Sequence, residues 1–436
     1  MISPRKVVAP RVGLVGLFGQ GNLGNDGSLE AILGYLRTEH PDAILDVLCS
    51  RPDQIAPRYA IPAARLRWYD PESRPRRGVI TLAVKGLEIS LGVAVDAVRI
   101  TSWVGRHDAV IVPGMGVLEA TLPLRPWQTP YWMFLLCTSG KLFGTKVALV
   151  SVGANVIHQR VTRRLVTAAA RRAFYRSFRD SSARDAMRQM GLDTSGDAIY
   201  PDLAFCLPVP AAGEDPVPAA GEREAAGVVG VGVMEYSGGN NDRQHAAEIR
   251  ASYIEKMTRF VAWLIDNGRP VRLLAGDTID ERVVRHILAD LQARRPGLGP
   301  EWVVAESASS LGELMRQLTS VDIVVASRYH TVLCALKLAK PTLSVGYGTK
   351  FDALMTDMGL PEFAQSAKSL DVDDLIGQFT DLESRSAQVR QMLLERTAVS
   401  TRLLERQFSE LSAVLFPAGE LAHPAAGSGI VSHRTH

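Results

Sequence analysis

The chain has 436 residues, more than one ordinary hydrophobic core organises, so two domains are the first expectation. Apolar residues make up 46% and charged residues 22%, which suits a globular protein and excludes a disordered or fibrous one. A net charge of +3 falls far short of the clustered basic face that nucleic-acid binding needs, so no nucleic-acid partner is expected.

The N-terminus lacks the long apolar run and small-residue cleavage site of a secretory signal. RVGLVGLFG (11–19) reads as a buried strand, followed by the turn GQGNLGNDG (19–27) and the periodic run SLEAILGYLRTEH: strand, tight loop, helix. ILDVLCS (44–50) is the next strand. Residues 79–104 are the most apolar region, but Lys85, Glu88 and Asp96 interrupt it, which excludes a spanning helix. A core helix is the expectation there, with a surface-associating helix as the alternative. HDAVIVPGMGVLEA (107–120) and KVALVSVGANVI (146–157) are strands running into glycine turns. A helix to about residue 176 then gives way to a short strand ending at Arg179-Asp180, and SARDAMRQMGL is a helix closed by Gly191.

The stretch 206–227 is rich in Pro, Ala, Gly and Glu and reads as a linker. After it the pattern restarts. VVGVGVMEYSG, VRLLAGD, WVVAES, VDIVVAS and PTLSVGYGTK alternate with helical runs, and 369–416 is a long helical tail. Alternation of this kind predicts an α/β fold with parallel sheets. The expected layout is a Rossmann-like domain over 1–205, a linker over 206–227 and a second Rossmann-like domain over 228–368. C-terminal helices over 369–416 pack back across the cleft, and the tail 417–436 reads as disordered. The four cysteines are scattered with no CxxC pair, which predicts a reduced, cytoplasmic compartment and no cysteine metal site. No metal-binding motif appears elsewhere, and no metal is expected.

In open parallel sheets, ligands bind beyond the carboxyl ends of the strands. VVASRYHTVLCALKLAKP (324–341) puts Arg328, Tyr329 and His330 at such a strand end, where a helix begins. Helix-start N–H groups favour an anion, an arginine holds carboxylate or phosphate in two-pronged fashion, and a histidine there can deliver a proton. Arg179 ends another strand and is a second cation candidate. His158 follows the SVGAN turn, and Lys350 follows SVGYG. Gly21, Asn22 and Asn25 in the first loop, with Gly114 and Gly116 in PGMG, are candidates for substrate contact or for turn formation alone. The first loop is no Walker loop and a poor match to GxGxxG. Pro201-Asp202 reads as a turn with a capping aspartate.

Taken in order, these pieces resemble the polysaccharide pyruvyl transferase family. The resemblance rests on Asn22-Leu23-Gly24-Asn25 before Glu30-Ala31-Ile32-Leu33, the strand Asp108 to Gly116, and the SVGAN turn. It continues through Arg179-Asp180, Pro201-Asp202, Ser327-Arg328-Tyr329-His330 to Ala335, and Tyr347 with Lys350. Together they cover about residues 11–360. Asn25 stands where aspartate is common, Met115 lies in a turn that is usually all glycine, Ala183 replaces a serine, and Lys340-Pro341 replaces Gly-Pro. The resemblance implies a GT-B-like pair of Rossmann-like domains. It also implies transfer of pyruvate from phosphoenolpyruvate to a saccharide, lipid-linked repeat unit or glycolipid, forming a ketal and releasing phosphate without a cofactor. On that reading His330 is the acid. Arg328 is the main anion clamp and Arg179 the second. Tyr329, His158 and Lys350 also meet phosphoenolpyruvate, and the N-terminal glycine and asparagine loops meet the acceptor. A lipid-linked acceptor would bring the protein to the inner membrane face, with 79–104 and WQTPYWMFLL (127–136) as candidate contact surfaces, although both read first as core segments. The competing readings are a GT-B nucleotide-sugar glycosyltransferase and a non-catalytic scaffold on the same fold.

Overall fold

The computed structural model describes residues 9–68, 79–119, 126–211 and 227–417. Most of the predicted linker and nearly all of the predicted disordered tail lie outside the described residues. The first sheet takes in β1 (Arg11–Gly16), β2 (Ile44–Cys49), β3 (Ala63–Arg65), β4 (Ala109–Pro113), β5 (Lys146–Val152), β6 (Tyr175–Phe178) and β7 (Ala198–Ile199). Its order is β3-β2-β1-β4-β5-β6-β7, and every neighbouring pair is parallel. Between these strands run α1 (Leu23–Glu39), α2 (Pro52–Tyr59), α3 (Val79–Val104), α4 (Thr129–Phe143), α5 (Arg160–Arg172) and α6 (Ser181–Gln189).

The second sheet has the order β10-β9-β8-β11-β12-β13 and is also parallel throughout. Its strands are β8 (Val229–Val233), β9 (Val271–Ala275), β10 (Val303–Glu306), β11 (Ile323–Ala326), β12 (Thr342–Gly346) and β13 (Ala364–Ser366). The helices between them are α7 (Ala246–Asp266), α8 (Glu281–Arg294), α9 (Leu311–Thr319), α10 (Tyr329–Lys337) and α11 (Thr349–Asp357). α12 (Val372–Ser384) and α13 (Ser386–Leu415) follow. Strands covered on both faces are mostly apolar, and β4, β8, β9, β11 and β12 are buried at every position, with Arg272 in β9 and Thr342 and Ser344 in β12 as buried polar exceptions.

Local chemistry sets the helix ends that matter for the site. The Asn22 side chain accepts the Asn25 N–H at 3.2 Å and starts α1. Asp180 does the same for α6, through the N–H of Ala183. The 3-10 turn Leu203–Cys206 is capped by Asp202, as the sequence predicted.

Helix α13 begins beside the second sheet and returns to the first. Thr397 donates to the carbonyl of Leu336 at 3.3 Å. Further along, Gln407 bonds the hydroxyls of both Ser151 and Ser177, and Lys146 donates to the carbonyl of Val414. Buried side-chain bonds of this kind fix the approach of the helix.

One expectation changes. α3 is a helix, but not one sunk in the core. Gly92, Asp96, Ile100 and Val104 face inward, while Val84, Leu87, Leu91 and Val98 are exposed. A helix with apolar residues on several sides can be laid on a domain with one side uncovered, and here the charges do not mark that side, since Asp96 faces inward. The 127–136 stretch follows its core reading and not the alternative of a membrane contact surface: it supplies the core residues Trp132, Met133 and Leu136. No helix among the described residues is long and apolar enough to cross a membrane.

Candidate active site

The carboxyl ends of the two sheets face each other across a narrow cleft. The loop after β1 meets the loop after β9 there, where Asn22 and Asp277 form an isolated antiparallel bridge. A Cβ on Gly21 would lie 2.4 Å from Oγ1 of Thr278, and Gly21 has φ +86°, so this residue needs glycine on two counts. A Cβ on Gly24 would lie 1.9 Å from the His330 ring. The first loop therefore fits against the second domain with backbone against side chain.

Arg328 is the N-cap residue of α10, and Tyr329 and His330 form its first turn. Arg328 donates from Nε and Nη2 to the two oxygens of Asp280, at 2.7 and 2.6 Å. Asp280 is fully buried and also accepts the N–H of Glu235. Burial opposes the Arg328 charge, but the bonds to Asp280 and its charge outweigh that and raise the guanidinium pKa. The Arg328 fork is thus oriented before any ligand arrives, and its Nη1 has no bonding partner among the described residues. Below it, the Tyr253 hydroxyl donates to Ser327 at 2.7 Å and steadies the end of β11.

His330 Nε2 lies 3.7 Å from Oδ2 of Asp202, which also receives Arg179 Nη1 at 3.5 Å. Burial pushes the Asp202 carboxyl up, yet the hydrogen bond and charge of His330 and the charge of Arg179 win and hold it well below the usual carboxylate range. Arg179 itself is buried. Its guanidinium also contacts Glu119 at 3.0 Å and Asp180 at 3.7 Å, and sits 4.7 Å from the centre of the Tyr329 ring. Burial works against this charge, but Tyr329, Glu119, Asp202 and Asp180 together raise the Arg179 pKa. Lys350 Nζ lies 3.7 Å from Glu119 and 5.5 Å from the ring centres of both Tyr329 and Tyr347. Burial pushes Glu119 up, and Lys350 and Arg179 more than reverse it.

Arg328, Tyr329, His330, Arg179 and Lys350 are therefore brought together. The anion-clamp role expected of Arg179 does not match its surroundings: three carboxylates already meet its charge. The less encumbered cations are Lys350, at the cleft, and the free edge of Arg328. His158 is not brought in. It is exposed in the loop before α5, with no hydrogen bond or ion pair among the described residues, because the chain turns outward after Ile157. Asn22 and Asn25 serve the turn, the latter donating to the Leu17 carbonyl at 3.3 Å. Gly114, at φ +54°, makes room for Ser28, and Gly116 makes room for the Glu119 carboxylate.

Two residues absent from the sequence reading matter here, Asp280 and Glu119. Each is a lone acid whose partner lies 48 or 60 residues away, so no local spacing reveals it. A cavity of about 240 Å³ lies behind Tyr329, with Asp202 and Arg179 on one side and Arg396 and Leu403 of α13 on the other. Among the described residues no group of three or more His, Cys, Asp or Glu side chains has the geometry to hold a metal ion.

Similar solved structures share this architecture at very low identity. A putative UDP-N-acetylglucosamine 2-epimerase from Listeria monocytogenes has a TM-score of 0.59 at 10% identity, over 93% of this chain and 96% of its own. The S. aureus MnaA–UDP co-structure gives 0.59 at 10%, over 93% and 97%. The lipopolysaccharide outer core galactosyltransferase WaaB, in its apo form, gives 0.52 at 12%, over 93% and 99%. The fold is that of the GT-B proteins: two parallel sheets facing a cleft, with a C-terminal helical segment. No curated protein sequence matches the chain. The family model "Polysaccharide pyruvyl transferase" matches residues 22–349, from the capping asparagine of the first loop to the residue before Lys350, and the chain belongs to that family of transferases.

Proposed function

We propose that this transferase uses phosphoenolpyruvate as donor and forms a pyruvate ketal on two hydroxyls of a saccharide. Each step needs a group that the cleft contains. A proton added to the methylene carbon of phosphoenolpyruvate leaves an oxocarbenium-like centre at C2. A sugar hydroxyl attacks that carbon and loses its proton. Phosphate then leaves with the C–O electron pair, and a second hydroxyl closes the ketal and loses its proton. One proton is consumed at carbon and two are released, one of which leaves on phosphate, so the sum balances.

His330 is the acid in this account. Asp202, 3.7 Å from Nε2, orients the ring that must deliver the proton. The free edge of Arg328 and the N–H groups at the start of α10 take the donor's carboxylate or phosphate. Lys350 supplies the second cation, and Arg179 positions Tyr329 and Glu119. No cofactor enters the chemistry, because the enol phosphate supplies the driving force. The acceptor is a saccharide on a lipid carrier or polymer, modified in the cytoplasm at the inner membrane face.

The observation carrying this reading is the pre-oriented Arg328 next to His330 at one helix start, across the cleft from Gly24. A nucleotide-sugar reading draws on neighbours in fold alone, such as the UDP-N-acetylglucosamine 2-epimerase and the MnaA–UDP co-structure, each at 10% identity. Titration calorimetry separates the two. Phosphoenolpyruvate should bind, and Arg328→Ala should weaken it at least tenfold, by loss of charge-assisted bonds of about 1.5–3 kcal/mol. Binding of a UDP-sugar with none of phosphoenolpyruvate would overturn the proposal.

A further inference from the structure

We infer that the outer face of α3 is a docking surface for an anionic lipid bilayer. The inference deepens the membrane contact proposed above and rests on it for its biological sense, although the surface itself is read independently of the donor. Val84, Leu87, Leu91 and Val98 are exposed, Leu87 and Val98 at 71% each. With Ala94 between them, they follow a 3-4-3-4 spacing, which draws a straight apolar line down one side of a helix. From Val84 to Val98 the line is roughly 20 Å long at 1.5 Å per residue. Past it the polar Thr101 and Ser102 intervene, and at Gly105, just beyond the helix, a Cβ would touch the Phe143 ring at 3.3 Å. Phe143 and its neighbour Leu142, 72% exposed, add apolar surface beyond the helix end. Scattered exposed apolar residues need no explanation, but a continuous line of this length does.

Charge selects the occupant. Val98 shares a groove of about 310 Å³ with Arg65, Arg99 and Arg106. Arg99 donates to the Arg65 carbonyl at 2.7 Å and Arg106 to the Ser102 hydroxyl at 3.3 Å, which places both guanidiniums beside the apolar line. The acid nearest to them, Asp96, is buried and occupied by the Trp68 N–H and Arg99. Trp68 is half-exposed beside them. In the sequence from 65 to 85, six basic residues stand against Asp70 and Glu72. An apolar stripe with an aromatic residue and arginines at its margin fits the boundary between acyl chains and anionic headgroups. A second copy of the chain would bring the same arginines together, and like charges would oppose that pairing.

The test is co-sedimentation of the full-length protein with phosphatidylcholine vesicles, with and without phosphatidylglycerol. The wild type should bind the anionic vesicles, binding should fall as salt is raised, and neutral vesicles should bind at least tenfold more weakly. Leu87→Glu/Leu91→Glu should lose at least tenfold in vesicle affinity with an unchanged melting temperature, because both side chains are exposed. Arg65→Gln/Arg106→Gln should lose the salt dependence. Anionic binding that survives Leu87→Glu/Leu91→Glu would reject this face while leaving membrane contact standing. A wild type that binds neither vesicle would reject the face and the membrane contact together, leaving pyruvyl transfer untouched. A wild-type dimer that the Glu pair turns into a monomer, with no vesicle binding, would assign the face to a second copy instead.

Discussion

At Asp202 one carboxylate serves both His330 and Arg179, and also caps the turn that follows it. Its pKa is depressed in the folded protein, so the sign of its contribution is fixed. The stability it adds is fully present above the ordinary carboxylate value of about 3.9 and is lost as pH falls through the lower folded value. Asp202→Asn should therefore lower stability by about 1.5–3 kcal/mol at pH 7, the worth of hydrogen bonds to charged groups. The gap in melting temperature between variant and wild type should narrow below about pH 4. A gap that stays constant through acid would mean that the Asp202 charge is not what stabilises the cluster. At this scale the sequence revealed the cations and concealed their partners. Arg328, His330 and Lys350 sit in short motifs at strand ends, where chemistry is expected. Asp280 and Glu119 became visible only when the chain folded.

Among the elements, the join between the first loop and α10 is the most sensitive. Gly24 lies in the first turn of α1 and leaves room for the His330 ring. Gly24→Ala should not weaken α1, since alanine is the better helix former by about 1 kcal/mol. It should displace the imidazole and lower kcat at least tenfold. A Gly24→Ala protein with full kcat would show that the ring does not work from this position. Strands were the most legible elements, because those of a parallel sheet are near-continuous apolar runs, as in β4, β8 and β11. The short α2 and β3 were not, since eight and three residues carry too little periodicity to read. α3 was legible as a helix but not in its placement, for its apolar residues lie on several sides and its Asp96 faces inward.

At the scale of the whole molecule, two sheets bring residues from opposite ends of the chain to one cleft, and α13 ties them from behind. Gln407 between Ser151 and Ser177 and Thr397 against Leu336 fasten that helix to both halves. The return of the C-terminal helix was expected from the order of the elements, whereas its anchoring hydrogen bonds were not legible. The central claim is that the cleft holds phosphoenolpyruvate and protonates it from His330. The most direct measurement is phosphate release from phosphoenolpyruvate by the purified protein, with a panel of saccharide and glycolipid acceptors, beside His330→Ala. The account predicts acceptor-dependent release that falls on the order of 10²–10⁴-fold in the variant, the usual worth of a general acid. Acceptor-dependent release at the wild-type rate from His330→Ala would contradict it.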